Sequence, residues 1–287
     1  MAEATVAAAR RARHGLRLRK PTALEVAVGA LLALALVMIL APVFAPYDPN
    51  AVDPANAFAE ISSAHPFGTD DLGRDLLSRV LYGGRLTLLI SGGAVVVALV
   101  LGTLWGFGAA TRGGILDEVL MRTADVLMAI PQLLFALVFV AAFGPSTVTL
   151  ILVIGVLLSP TTARMARSVA LTEMSRDYYS AAIAYGAKRR RLLFKELLPN
   201  TTTPIAIQAA INAASAIILE ATLSFVGLGI QPPDASLGTL LQQGYGFLYQ
   251  CWEYVVFPGL AILLIIWLLN VVADQLGEDR RGLRRRR

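Results

Sequence analysis

The sequence LTLLISGGAVVVALVLGTLWGFGAA, residues 86–110, runs without a single charged side chain. An α-helix of about 20 apolar residues crosses the roughly 30 Å of hydrocarbon in a bilayer, and a soluble core helix has no use for such a run. Working outward, five further runs of this kind lie at 23–44, 123–143, 147–163, 204–228 and 254–272. Only 16% of the chain is charged, 56% is hydrophobic, and the mean hydropathy is +0.64. Soluble domains carry roughly 25% charge, so an ordinary water-soluble enzyme is excluded. The six runs predict an all-α integral membrane protein with six transmembrane helices and both termini on one side.

Charge sorts by location. Of the 25 Lys and Arg, 22 fall in the segments 1–22, 111–122, 164–203 and 273–287. The other three, Arg74, Arg79 and Arg85, share their side with Asp48, Asp53, Glu60, Asp70, Asp71, Asp75, Asp234 and Glu253. The positive-inside rule makes the basic tails 1–22 and 276–287 cytoplasmic and predicts a multi-pass cell-membrane (plasma or inner membrane) protein. Basic clusters such as Arg10, Arg11 and Arg13, or the run from Arg284 to Arg287, would suggest nucleic acid in a soluble chain. Beside membrane spans they anchor topology and touch anionic lipid, so the bilayer is the expected partner and nucleic acid is not. The first run follows a basic tail and ends at Val43-Phe44-Ala45, which raises a cleaved signal peptide. It is too long for a signal core, so it reads as the first transmembrane helix. One cysteine, Cys251, and two scattered histidines, His14 and His65, predict no disulfide and no metal site.

The extracytoplasmic segment 45–85 opens with Pro46, Pro49 and Pro54. Leu72, Leu76, Leu77, Val80 and Leu81 then predict a short interfacial helix capped by Thr69, with Asp70 and Asp71 in its first turn. Within the core, 86–275, Ala98, Gly102, Gly106 and Ala110 form a small-residue stripe suited to close helix packing. Pro131 and Pro258 predict kinks. Acids inside spans invite a functional reading. Asp125 has Arg122 one turn away, so an intrahelical pair is expected. Glu220 has no basic residue within a turn and must find a partner elsewhere. Gln208, Asn212, Ser215 and Thr222 fall within about 80° on one face. With Glu220 on another face of the same helix, they are the candidates for a translocation path, although a polar stripe can equally bond to neighbouring helices. Segment 231–252 begins with Pro232 and Pro233 and predicts a short outer helix or re-entrant piece. Trp252 and Tyr254 suit an interfacial belt.

The longest inner segment contains a hairpin, 171–200. Asp177-Tyr178-Tyr179-Ser180-Ala181-Ala182 suits a helix ending in a turn at Gly186, and a second, basic helix starts at Lys188 and stops before Pro199. Ala181-Ala182, Gly186 and Leu198-Pro199 resemble the EAA loop of ABC-importer permeases. The block from His65 to Asp75 (HPFGTDDLGRD) resembles the segment after the first span in one permease subunit of the dipeptide, oligopeptide and nickel importers. Met121-Arg122, Asp125, Ala129 and Pro131 resemble that family's third span. Glu220, Leu223-Ser224-Phe225, Gly227-Leu228-Gly229 and Gln231-Pro232-Pro233 resemble its fifth-span exit. The likeness covers about residues 20–277. Two positions depart from the pattern: Ser180 stands where an acid or amide usually precedes the alanine pair, and Glu196 stands where an aliphatic residue is common. A contact made by that acid is therefore lost or falls to Asp177.

The resemblance implies a type I ABC importer permease fold and a role in dipeptide or oligopeptide import, with nickel or another small solute as the alternative. It also implies a homologous permease as heterodimer partner, two ATPase subunits or one fused ATPase, and an extracytoplasmic substrate-binding protein. The ATPase-coupling residues would be Asp177, Ser180, Ala181, Ala182, Gly186, Leu198 and Pro199. The chain has no G-x-x-x-x-G-K loop, and none of its three lysines follows a glycine. It is therefore expected to be no enzyme and to bind no cofactor, with ATP and Mg on the partner ATPase subunits. A secondary transporter working without a motor would call for internal repeats, and none relates the two halves. A membrane-embedded enzyme would call for clustered His, Asp or Ser, and no histidine lies inside a span.

Overall fold

The computed structural model describes residues 23–285, with side chains through Glu278; the basic tail 1–22 and the end of the second tail lie outside it. The helices are α1 (Ala23–Ile39), α2 (Ala41–Phe44), α3 (Leu76–Arg112), α4 (Gly114–Ala129), α5 (Gln132–Phe143), α6 (Thr147–Met174), α7 (Asp177–Ala184), α8 (189–200), α9 (Thr202–Leu223), α10 (Leu237–Tyr245) and α11 (Glu253–Arg285). No strand forms among the described residues beyond an isolated bridge between Thr69 and Asp75. α3, α6, α9 and α11 are each long and apolar enough to cross a membrane. α4 and α5 together make a fifth, broken stretch, and α1 is a shorter apolar helix of 17 residues.

α3 and α6 form the centre. Apolar side chains gain little by leaving lipid for another helix, so close approach through small residues must supply the attraction. The stripe does this. A Cβ at Gly102 would lie 2.7 Å from the Ser159 carbonyl oxygen, and one at Gly106 would lie 2.3 Å from that of Ala163. Gly155 of α6 answers from the other side, facing the Ala94 carbonyl oxygen and the Val97 side chain. Ala94, Ala98, Ile154 and Leu150 close the same seam without exposed surface.

The expected interfacial helix is absent as a separate element. Thr69 through Asp75 form a tight loop, Asp75 caps α3 by accepting from the Ser78 N–H at 2.8 Å, and the helix then runs unbroken to Arg112. The reason lies in Asp70, which is fully buried. Its carboxylate accepts the backbone N–H groups of Leu72 and Arg74 (both 2.9 Å), the Arg74 Nε–H (2.7 Å) and the Arg79 guanidinium. A residue so engaged cannot occupy a solvated first turn. Gly73 permits the loop, with φ of +75° and the Asp53 carbonyl oxygen only 1.8 Å from where a Cβ would sit. Arg79 passes on to Gln243 of α10 (3.1 Å), and the Tyr254 hydroxyl of α11 donates to the same Gln243 oxygen at 2.9 Å. His65 and Asp75 pair at 3.0 Å, and Phe67 stacks on Phe257. This polar knot fastens the segment after α1 to three helices. Cys251 lies buried beneath it and points to the Thr69 carbonyl.

The kink expected at Pro131 is in fact a break. α4 and α5 meet at 87° across Ile130 and Pro131, because Pro131 has no N–H to continue the ladder and Ile130 adopts extended backbone. Pro258, by contrast, stays inside α11.

Two outcomes are expected. Gly106→Val forces the α3–α6 backbones apart and lowers stability by about 1–3 kcal/mol, whereas Gly108→Val, on a face with nothing within 4 Å, is near neutral. Heating detergent-purified protein and measuring the monodisperse fraction distinguishes them. Arg79→Ala strands part of a buried ion cluster and costs roughly 3–5 kcal/mol; Arg85→Ala, at an exposed position, is the matched control in the same assay.

Candidate functional site

The hairpin is built on the end of α6. Glu173 is buried there, and its Oε2 accepts the Tyr178 hydroxyl at 3.0 Å and pairs with the Arg176 guanidinium at 3.0 Å. Burial, with the neighbouring Glu173 carboxylate, pushes the Tyr178 pKa up to about 12, so its hydroxyl remains a donor at any physiological pH. Tyr179 is buried as well, and burial raises its pKa. These two rings turn one face of α7 inward. Asp177, Ser180, Ala181, Ile183 and Tyr185 are thereby left on the outside, with Tyr185 92% exposed.

Gly186 ends α7. The Ala187 N–H reaches the Ala182 carbonyl (3.0 Å) and the Gly186 N–H that of Ile183 (2.9 Å), a Schellman turn with glycine at its left-handed position, φ +74°. Nothing lies within 4 Å of a Cβ built there, so the backbone angle, and no neighbour, calls for glycine. The return helix α8 seats the fully buried Leu197 against Phe107, Ala110, Ala166 and Ala170, and Arg189 donates to the Thr111 hydroxyl at 3.0 Å. The knob thus rests on the ends of both α3 and α6. Leu198 is half-buried and Pro199 exposed, but Pro199 does not stop the helix as expected. The chain widens into a π-turn, Leu192–Leu197, and the proline enters the following turn, Leu198–Asn200, without having to donate.

The polar residues of α9 divide. Gln208 donates to Asn212 (2.9 Å), and Asn212, buried, donates to the Thr162 hydroxyl of α6 (2.9 Å). Ser215 is half-buried, and Thr222 bonds back to the Ile218 carbonyl of its own helix. Glu220 is fully buried. Ser224 donates to its Oε1 (2.7 Å) and Thr87 of α3 to its Oε2 (3.2 Å), while Thr87 itself accepts the Leu237 N–H at the start of α10 (3.1 Å). The partner that sequence could not name is a pair of hydroxyls, one of them 133 positions away. Asp125 also differs from expectation: its main partner is Arg164 of α6, and Arg122 stands farther off at 3.9 Å. Beside it, Arg167 of α6 forks onto Asp117 of α4 with two bonds of 2.6 Å. Thr87, Thr162 and Arg164 escaped sequence reading, since nothing local marks a residue whose partner lies far along the chain on another helix; Glu173 escaped it although its partners Arg176 and Tyr178 are within five residues.

The chain is similar to known proteins in sequence and in fold. Residues 98–278 match the family described as the inner membrane component of binding-protein-dependent transport systems. The chain is 37% identical over 261 residues to the di/tripeptide transport system permease protein DppC of Pseudomonas aeruginosa, covering 88% of this chain and 86% of that one. It is 40% identical to the dipeptide transport system permease protein DppC of Escherichia coli, covering 84% and 83%. It is 38% identical to the probable D,D-dipeptide transport system permease protein DdpC of the same organism, covering 83% and 80%. In fold it is similar to a chain of the MetNI methionine ABC transporter solved in inward-facing conformations, with a TM-score of 0.58 at 19% identity over 70% of this chain and 95% of that one. A multi-pass helical chain with this sequence and this arrangement of spans belongs to the family of inner membrane components of binding-protein-dependent transport systems.

Proposed function

We propose that this chain is the permease subunit of an ATP-driven importer of short peptides, paired with a homologous permease. The peptide reading is supported by relatives above 35% identity that are named as dipeptide and di/tripeptide permeases. Both tails and the hairpin face the cytoplasm, in keeping with 22 of 25 basic residues on that side. ATP and Mg bind separate ATPase subunits, or one fused ATPase, and an extracytoplasmic binding protein delivers the peptide.

The observation that carries the reading is the α7 knob. Its outer face, with Asp177, Ser180, Ala181, Ala182 and Gly186, is small and open and leads to exposed Ile183 and Tyr185, while its inner face is anchored on α3 and α6. Such a shape suits insertion into a cleft of an ATPase subunit, and movement of that subunit would turn the spans as rigid bodies. Leu198 and Pro199 close the return helix behind it. On α9, Gln208, Ser215 and Thr222 keep accessible surface and line the path; Asn212 and Glu220, buried with partners, hold its wall to α6 and α3.

Ala181→Trp adds bulk to an exposed helical position without backbone strain and is expected to reduce co-purifying ATPase and peptide-stimulated ATP hydrolysis at least tenfold, with the spans folded. Undiminished hydrolysis in an assembled complex would exclude docking at this knob. Glu220→Gln, which keeps an acceptor, is expected to retain uptake per assembled complex. Glu220→Ala leaves the Thr87 and Ser224 hydroxyls unsatisfied and loses about 1–3 kcal/mol of stability, read as a lower yield of folded complex at unchanged substrate preference.

A further inference from the structure

A groove opens where the last turns of α3 meet the root of the hairpin. It encloses about 500 Å³, within the span of roughly 300–1,000 Å³ typical of ligand sites. Leu99 and Leu104 of α3 form one wall, and Leu193 and the exposed Phe194 of α8 form the other. Two cations, Arg112 and Arg189, complete the lining. The bond from Arg189 to Thr111 fixes that guanidinium and leaves its remaining donors available. Neither arginine forms an ion pair among the described residues. Arg112 is also the first charged residue after Arg85 along α3, so it marks the depth at which that helix leaves the hydrocarbon.

An apolar slot with a cationic end at that depth matches one kind of molecule already present around the protein. We infer that the groove binds an anionic phospholipid of the hairpin-side leaflet, with an acyl chain between α3 and α8 and the headgroup phosphate between Arg112 and Arg189. Guanidinium groups fork onto phosphate oxygens, and basic pockets between membrane helices select anionic headgroups. Because one wall is α3 and the other is the return helix α8 of the hairpin, a lipid seated here ties the hairpin root to the central helix. The inference goes beyond the proposed function and does not depend on peptide being the cargo.

The test is lipid quantification on the full complex reconstituted in nanodiscs of phosphatidylcholine with 10% phosphatidylglycerol, then re-extracted in mild detergent. Retained phosphatidylglycerol per protein, measured by mass spectrometry, is expected to fall at least threefold in Arg112→Gln/Arg189→Gln. It should be restored in Arg112→Lys/Arg189→Lys and unchanged in Arg190→Gln/Arg191→Gln, whose arginines lie outside the groove. Leu104→Trp, which fills the slot without altering charge, is expected to give the same loss. Equal retention in all variants overturns the inference, as does an equal loss in both Gln pairs, which would reflect general surface charge. Displacement of the lipid by millimolar inorganic phosphate alone would make the rim a phosphate site and overturn it as well.

Discussion

The contact between the α3 and α6 backbones is the constraint on which the remaining packing depends. In a bilayer the interior of a helix bundle is no drier than its surroundings, so helices adhere only where their surfaces fit closely. Gly102, Gly106 and Gly155 allow that fit, since at each of them a single added carbon would meet a backbone oxygen below 3 Å. Once the pair is set, α4, α9 and α10 attach by a few polar contacts placed along it. α4 is held through Arg164 and Arg167, α9 through Thr162 and Thr87, and α10 through Thr87.

These attachments share a chemical form. Each acid buried among the described residues is met by donors from more than one element, as Asp70 is by its own loop and α3, and Glu220 by α3 and the turn that follows α9. A carboxylate removed from water requires such company. It therefore acts as a fastener whose loss is felt on both sides. The outer knot and the Glu220 cluster lie about two turns apart on α3, at Arg79 and Thr87, so the upper part of the molecule is closed by polar contacts and its middle by small apolar residues.

Much of this was legible in the sequence, and the failures have a common cause. The spans follow from hydropathy, the small-residue stripe from its interval of four, and the Gly186 turn from the alanines before it, because each signal lies within one helix. Asp70 looked like a first-turn acid because Asp71 and Leu72 beside it fit an amphipathic pattern. Only the return of Arg79 and the β-bridge from Thr69 to Asp75 show that the chain folds back there. Pro131 signalled a bend without its size, since 87° requires that α4 be held independently by Asp117 and Asp125. The polar stripe on α9 looked uniform at 100° per residue, yet tertiary neighbours divide it between Thr162 and solvent. Local periodicity carries no information about which helix arrives opposite.

α3 has a mechanical consequence of its own. At 37 residues it is a rod of about 55 Å, longer than the hydrocarbon is thick, and it carries the outer knot at its first turns and the seat of the hairpin at its last. No proline or break interrupts it between Leu76 and Arg112. A push on the hairpin would therefore meet no proline or break along the way. On the coupling proposed for the hairpin, such a push would reach the far end as tilt or rotation of the knot, with the α3–α6 seam as the fulcrum, so that the two surfaces of the membrane would share one lever arm.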